Sequence, residues 1–457
     1  LERPDRREWL MLALPLACFL ALAWLLSWLA YRVLREFAPG LGAWPRGVAS
    51  TTLGLAFVLD PEAQHLAIGG LTEAPFTLGL VIACGALATG WAAHRPLAFG
   101  LLLGVTGLFR GNMLWFAPLF AIAAAASATP GRRRWPFVRV LSGYGLLLAP
   151  WWLHKAMSFG SPAWDLSALG LWDGVGGRNW LTLTHLPQMP ELPSLSASLP
   201  LLIEKLSRNV ASVGPSLVTG WRAVPVGALL VWIAFGRGAP RLRITAIAIA
   251  AATALSLVVA ALGASWLRYL FPMRVPLEAA GLLALFALIA RIPDAMLRAS
   301  ARRLIHAAIA VTALAWGVQQ TRRGNLEARE VAATRALPGV ATLNQLADRI
   351  VREVPAEEPV MSNLGSTLAW YADRPIVHLA LTPNDVNACR DRLEFRHVLV
   401  VFPDSARSWP GWGEIVARPQ LAAEHPGWST REVRHWLTSE GLRAVWIELG
   451  PRATSLP

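Results

Sequence analysis

Charge is what this chain has least of. Only 16% of its 457 residues are Asp, Glu, Lys or Arg, 54% are apolar, and the mean hydropathy is +0.43. Soluble domains carry about 25% charged residues, so a wholly water-soluble fold is excluded. Cysteine is nearly missing as well. Cys18, Cys84 and Cys389 lie far apart, two of them inside apolar stretches, which leaves neither a disulfide framework nor a zinc spacing. They read as buried fillers. No internal repeat of the kind common in secondary transporters is visible. No signal peptide with a cleavage site opens the chain, and its first residue is Leu1. Acids are outnumbered, giving a net charge of +13. This does not point to nucleic acid, because the arginines cluster in short runs between apolar stretches, as juxtamembrane charge does.

What is present is a series of apolar runs long enough to span a bilayer at 1.5 Å per residue. They fall at about 10–30, 44–59, 74–93, 137–157, 216–236, 244–263, 275–290 and 304–318. A further run, 97–128, is too long for one crossing and is broken at Arg110-Gly111-Asn112. It reads as two short helices in a hairpin whose polar tip lines a hydrated cavity. About ten crossings are expected within residues 1–325. Arg32, Arg35 and Arg46, then Arg95, Arg132 to Arg134, Arg237, Arg241 and Arg243, and Arg291 to Arg303 occupy every second loop. These loops should face the cytoplasm, and 60–73, 158–215, 264–274 and everything after 320 should face outward. Arg3, Arg6 and Arg7 then fall on the wrong side, as if a span preceded them. The location implied is a bacterial cytoplasmic (inner) membrane, with the C-terminal domain periplasmic.

From about 335 to 457 the texture changes. Helix-like stretches at 343–354, 384–395 and 430–440 alternate with short apolar runs such as Ile376-Val377 and Val398-Leu399-Val400-Val401-Phe402. That is the pattern of a soluble α/β domain with a mostly parallel sheet. The fold class expected is an all-α polytopic membrane domain followed by a small α/β outer domain.

Chemistry should lie where polar residues break the membrane rules, since an ionisable group at mid-bilayer costs about 2.5–3.5 kcal/mol on the mildest scale. Four places do so. The first is Asp60-Pro61-Glu62 with His65 and Leu71-Thr72-Glu73. Such a set could hold a divalent cation or orient a hydroxyl, or form a plain solvated loop with Glu73 at a helix start. The second is Arg110 with Asn112, where a guanidinium fork suits a phosphate or merely snorkels. The third is Pro150-Trp151-Trp152-Leu153-His154-Lys155, which by itself looks like an aromatic belt with a snorkelling Lys155. The fourth is Ser265-Trp266-Leu267-Arg268-Tyr269, with Pro272 and Arg274, an anionic head-group site or an interfacial anchor.

In order and spacing, Leu71-Thr72-Glu73, Gly104 to Arg110, Pro150-Trp151 with Gly160, and Arg268-Tyr269 with Pro272 resemble membrane glycosyltransferases of the GT-C type. The resemblance is to the protein O-mannosyltransferase and lipid A sugar transferase branch with an RgtA-like core. In that branch Arg and Asn stand where His154 and Lys155 stand here. Met361-Ser362-Asn363 and Trp370 to Pro375 look like the outer domain appended to many such enzymes.

The resemblance implies transfer of a sugar from a polyprenyl-phosphate donor to a lipid, glycan or protein acceptor at the outer face of the membrane. Glu73 would match the family's second acidic motif, with His65 and Asp60 as further catalytic candidates. Arg110, Asn112, Lys155, Arg268 and Tyr269 would bind the substrate, and a divalent metal, with Glu73 as its candidate ligand, is the only cofactor implied. The family's first acidic motif follows its first helix, and residues 10–59 match the second and third helices. The chain is therefore expected to lack that helix and loop and to be inactive as given, unless Asp60, Glu62 or Asp165 supplies the base. Two other readings stand beside this one: a transporter or flippase for a lipid-linked anion, and an inactive scaffold of the same fold. No inward loop is long enough for a nucleotide-sugar synthase.

Overall fold

The computed structural model describes residues 4–38, 41–68, 72–129, 131, 134–162, 166–176, 178, 183, 194–236, 240–263, 269–292, 299–334, 339–402, 409 and 411–451. The chain falls into two compact units, Leu1–Leu171 with Pro200–Glu327, and Trp172–Leu199 with Ala328–Pro457. The second unit thus takes in part of the stretch read as the long outward loop 158–215.

The first unit is helical. α1 (Pro4–Phe37) and α2 (Ala43–Val58) lead to α3 (Pro61–Ile68), α4 (Glu73–Ala88) and the single turn α5 (Trp91–His94). α6 (Pro96–Phe109), α7 (Met113–Ala126) and α8 (Arg134–Phe159) follow. α9 (Leu195–Val213), α10 (Ala223–Phe235), α11 (Pro240–Leu262), α12 (Phe271–Ala290) and α13 (Ala299–Thr334) complete the series. Three stretches, Ala13–Phe37 in α1, α11 and α12, are long and apolar enough to cross a membrane among the described residues. α4, α6 and α7 are apolar but shorter.

The hairpin expected at 97–128 is present as α6 and α7, joined by Arg110, Gly111 and Asn112. Each has 14 residues, a reach of about 21 Å, against a hydrocarbon core about 30 Å thick. α6 packs backbone to backbone on α8. A Cβ on Gly100 would strike the carbonyl oxygen of Val140, and one on Gly143 that of Leu97, so the close approach depends on both glycines.

Three local expectations are corrected. Residues 60–73 are not simply a loop, because Asp60 Oδ1 accepts the backbone N–H groups of Glu62 at 2.9 Å and Ala63 at 3.1 Å and so starts α3. The span expected at 216–236 is broken: α9 and α10 belong to segments bent by 88°, with Pro215 and Gly220 at the bend and Gly220 at φ +60. The stretch 74–93 stops at Ala88, where Gly90 takes φ +76 and ends the helix.

The second unit holds a five-stranded sheet in the order β2-β1-β3-β5-β4. Its strands are β1 (Val360–Ser362), β2 (Ile376–His378), β3 (His397–Phe402), β4 (Thr430–Leu437) and β5 (Arg443–Leu449). β1 pairs in parallel with β2 and β3, whereas β5 is antiparallel to β3 and β4. The sheet is mixed rather than mostly parallel, and the helix expected at 430–440 is the edge strand β4. Val398, Val400, Phe402, Val445 and Ile447 face one core, and Leu399, Val401, Ala444 and Trp446 the other. Alternation of this kind on two covered faces is the period-2 signature of a central strand pair. α14 (Val340–Glu353) and α15 (Gly365–Ala372) supply Leu346, Ile350 and Leu368 to the second core. α16 (Val386–Leu393), α17 (Trp412–Ala417) and α18 (Gln420–Ala423) supply Val386, Trp412, Ile415 and Ala422 to the first.

Candidate active site

Glu73 opens α4, where the helix dipole favours negative charge. It is 3% exposed. Its Oε1 lies 3.0 Å from Nη1 of Arg110. Its Oε2 is buried and has no hydrogen-bond partner among the described residues. Arg110 is the C-cap of α6, with extended backbone (φ −152, ψ 131) that turns the chain toward α7. Its guanidinium carbon sits 4.9 Å from the ring centre of Tyr269 and 5.9 Å from that of Phe76. A cation over two ring faces and beside a carboxylate is held in a defined place. Residues from the α4 start, the α6–α7 turn and the segment entering α12 therefore converge, and three of the sequence candidates, Glu73, Arg110 and Tyr269, come together.

A second charged cluster involves the start of the same helix, α12. Arg274 reaches Asp60 Oδ2 with Nη2 at 2.6 Å, Glu62 with Nη1, and Glu278 Oε1 with Nε at 3.3 Å. Arg222, just before α10, meets Glu278 at 2.9 Å and Asp60 at 3.6 Å. Three carboxylates thus face two guanidiniums. Arg222 meets Glu278 near the starts of α10 and α12, and Arg291 sits over Trp232 near their ends, so these helices run the same way.

Asp60 is consequently engaged three ways, as the cap of α3 and as a partner of both Arg274 and Arg222. His65 is exposed on α3. Asn112 is half-buried at the start of α7 and caps it with no side-chain hydrogen bond. Lys155 lies 5.5 Å from the ring centre of Trp151, one turn away on α8. Arg268 and Asp165 lie outside the described residues. Sequence reasoning passed over Arg222 and Glu278. Glu278 carried a usable signal, since it is an acid inside the apolar run 275–290 and needs a buried cation nearby.

The described residues do not fit the metal considered from sequence. Among the described residues no group of three or more His, Cys, Asp and Glu side chains could hold an ion. The acids near α3 face arginines, and Glu73 faces Arg110. What the Glu73–Arg110–Tyr269 constellation offers is a cation for an anion beside a buried carboxylate oxygen whose hydrogen-bonding capacity is unused among the described residues.

No protein-family model matches the chain, and no curated protein sequence matches it. Among solved structures it is similar to ArnT from Cupriavidus metallidurans bound to undecaprenyl phosphate, at 13% identity and a TM-score of 0.48, over 96% of this chain and 83% of that one. It is similar to the arabinofuranosyltransferase AftD from Mycobacteria, at 15% identity and a TM-score of 0.44, over 94% of this chain and 33% of that one. It is also similar to the Archaeoglobus fulgidus oligosaccharyltransferase in complex with Zn and sulfate, at 13% identity and a TM-score of 0.44, over 98% of this chain and 62% of that one. Identities this low and TM-scores below 0.5 leave the chemistry of this chain to its own residues.

Proposed function

We propose that this multi-pass membrane protein transfers a sugar from a polyprenyl-phosphate donor to an acceptor hydroxyl at the outer face of the cytoplasmic membrane, in the manner of GT-C glycosyltransferases. The observation that carries this reading is the buried Glu73–Arg110 pair, with Glu73 Oε2 left without a hydrogen-bond partner among the described residues. An unsatisfied buried acceptor costs about 1–3 kcal/mol, and a substrate hydroxyl donating to Oε2 would remove that cost. In the transfer, the hydroxyl oxygen bonds to the anomeric carbon of the sugar. The bond from that carbon to the phosphate oxygen breaks, and its electron pair leaves with the phosphate. The hydroxyl proton passes to Glu73 Oε2, which takes the part of base that the sequence left to Asp60, Glu62 or Asp165. Arg110 balances the charge gathering on the leaving phosphate, and Tyr269 and Phe76 keep the guanidinium in place. Arg268 and Lys155 are proposed as further phosphate-side cations and Asn112 as a donor to the substrate. Asp60 and His65 are given no step.

The test is consumption of polyprenyl-phosphate sugar by the full chain in membranes. Glu73→Gln should slow turnover by roughly 10²- to 10⁴-fold. Arg110→Ala should cost roughly ten- to a hundredfold, with Arg110→Lys only partly restoring it because the two-pronged contact is lost. Turnover by Glu73→Gln equal to that of the unaltered chain would remove the base and with it this reading. Movement of intact donor across the membrane without loss of sugar would favour the transporter reading instead.

A further inference from the structure

Away from the Glu73–Arg110 pair, the helical unit contains an apolar cavity that reaches the far ends of α4 and α12. It extends along α12 from Pro276 to Ala287 and along the end of α1 from Leu26 through Phe37 to the adjoining Ala38. At 1.5 Å per residue these stretches measure about 16 and 18 Å, close to the hydrocarbon depth of one leaflet, about half of 30 Å. No charged residue lines it among the described residues, and its one hydroxyl, on Thr245, donates to the carbonyl oxygen of Arg241 at 2.9 Å. A lining of this kind has little to offer a sugar or ordered water and suits hydrocarbon.

The far end of the cavity is ringed by arginine. Arg241 directly precedes Leu242, which lines the cavity, and its guanidinium lies against Gly90 just past α4, where a Cβ would be 2.8 Å from Nη1. Arg243 follows on the same turn and is exposed. Arg291, one turn beyond Ala287, places its guanidinium carbon 4.5 Å from the ring centre of Trp232, itself part of the lining. Arg35 lies two residues before Phe37, another lining residue, with Glu36 as the carboxylate between them. A chain-length apolar slot ending in a cationic rim matches a lipid with a hydrocarbon tail and a negative head.

We infer that this end of the bundle binds one anionic phospholipid, with an acyl chain in the cavity and the phosphate against Arg241, Arg243 and Arg291. The site is separate from the proposed chemistry and does not depend on it. The experiment is native mass spectrometry of the full chain in detergent, titrated with phosphatidylglycerol or with phosphatidylcholine of the same chains. One phosphatidylglycerol should be retained at a concentration roughly tenfold or more below that needed for phosphatidylcholine. Arg241→Ala combined with Arg243→Ala should erase that preference, and Ala284→Phe, which fills the cavity, should abolish retention of either lipid. Dihexanoyl phosphatidylglycerol, too short for the slot, should not be retained by the unaltered chain, which tests the cavity without any substitution. Equal retention of the two head groups, retention that ignores chain length, or displacement of phosphatidylglycerol by polyprenyl phosphate would each overturn the proposal.

Discussion

Arg274 shows what an arginine inside a helical membrane bundle requires. Its side chain is 6% exposed and meets Asp60, Glu62 and Glu278, so its removal strands three acids with Arg222 alone. Breaking a buried pair from one side typically costs about 3–5 kcal/mol. Arg274→Ala should lower thermal stability in detergent accordingly, and a change under about 1 kcal/mol would mean that water already reaches those carboxylates. In the second unit, Glu353 provides a pH-dependent contact. Burial alone would raise its pKa, but hydrogen bonds from Arg434 and Arg349 outweigh it and hold the carboxyl below the usual range. A depressed carboxylate contributes stability that is present above its unfolded value, about 4.3, and is lost as pH falls through the folded one. Burial depresses His425 too, and its charging at acid pH adds to the loss with the same sign. Protection factors of the α14 and β4 amides in the full chain, each rate taken relative to the intrinsic rate at that pH, should therefore fall below about pH 4.3. Glu353→Gln should flatten that acid limb, and an unchanged limb would assign the loss elsewhere.

At the scale of elements, glycine placement decides how closely helices approach. Gly143 sits against the backbone of α6, whereas Gly145, two residues on, has nothing within 4 Å of a built Cβ. Gly143→Leu should separate α6 from α8 and cost about 1–3 kcal/mol or more, while Gly145→Leu should leave the thermal midpoint unchanged. Equal effects of the two would deny the close contact. The hairpin itself was legible, because Arg110-Gly111-Asn112 interrupts an apolar run too long for one helix. β4 was not. Its sequence, Thr430-Arg431-Glu432-Val433-Arg434-His435-Trp436-Leu437, carries the charge that an exposed helix face also carries. At a sheet edge that charge discourages pairing with another chain, and only the antiparallel register with β5 reveals the strand. α3 was missed for a similar reason: its start depends on one capping carboxylate, Asp60, in a stretch too short for periodicity to register.

Across the whole molecule, the alternation of arginine-rich loops sets an orientation that fusions can test. A reporter placed after residue 330 should be periplasmic and one near residue 133 cytoplasmic, and swapped locations would invert the proposed outer site and the phospholipid rim together. By itself the sequence determined that this is a membrane protein with an appended α/β domain, because apolar length and the alternation of strand-like and helical runs are local properties of consecutive residues. It also marked Glu73, Arg110 and Tyr269 singly, as polar groups where the bilayer makes polarity costly. Only the tertiary structure decided that these three meet, and that Arg274 reaches back 214 positions to pair with Asp60. The physical reason is that burying a charge demands a counter-charge within a few ångströms, and the bundle can draw that partner from any helix end, a choice that no periodicity along the chain records.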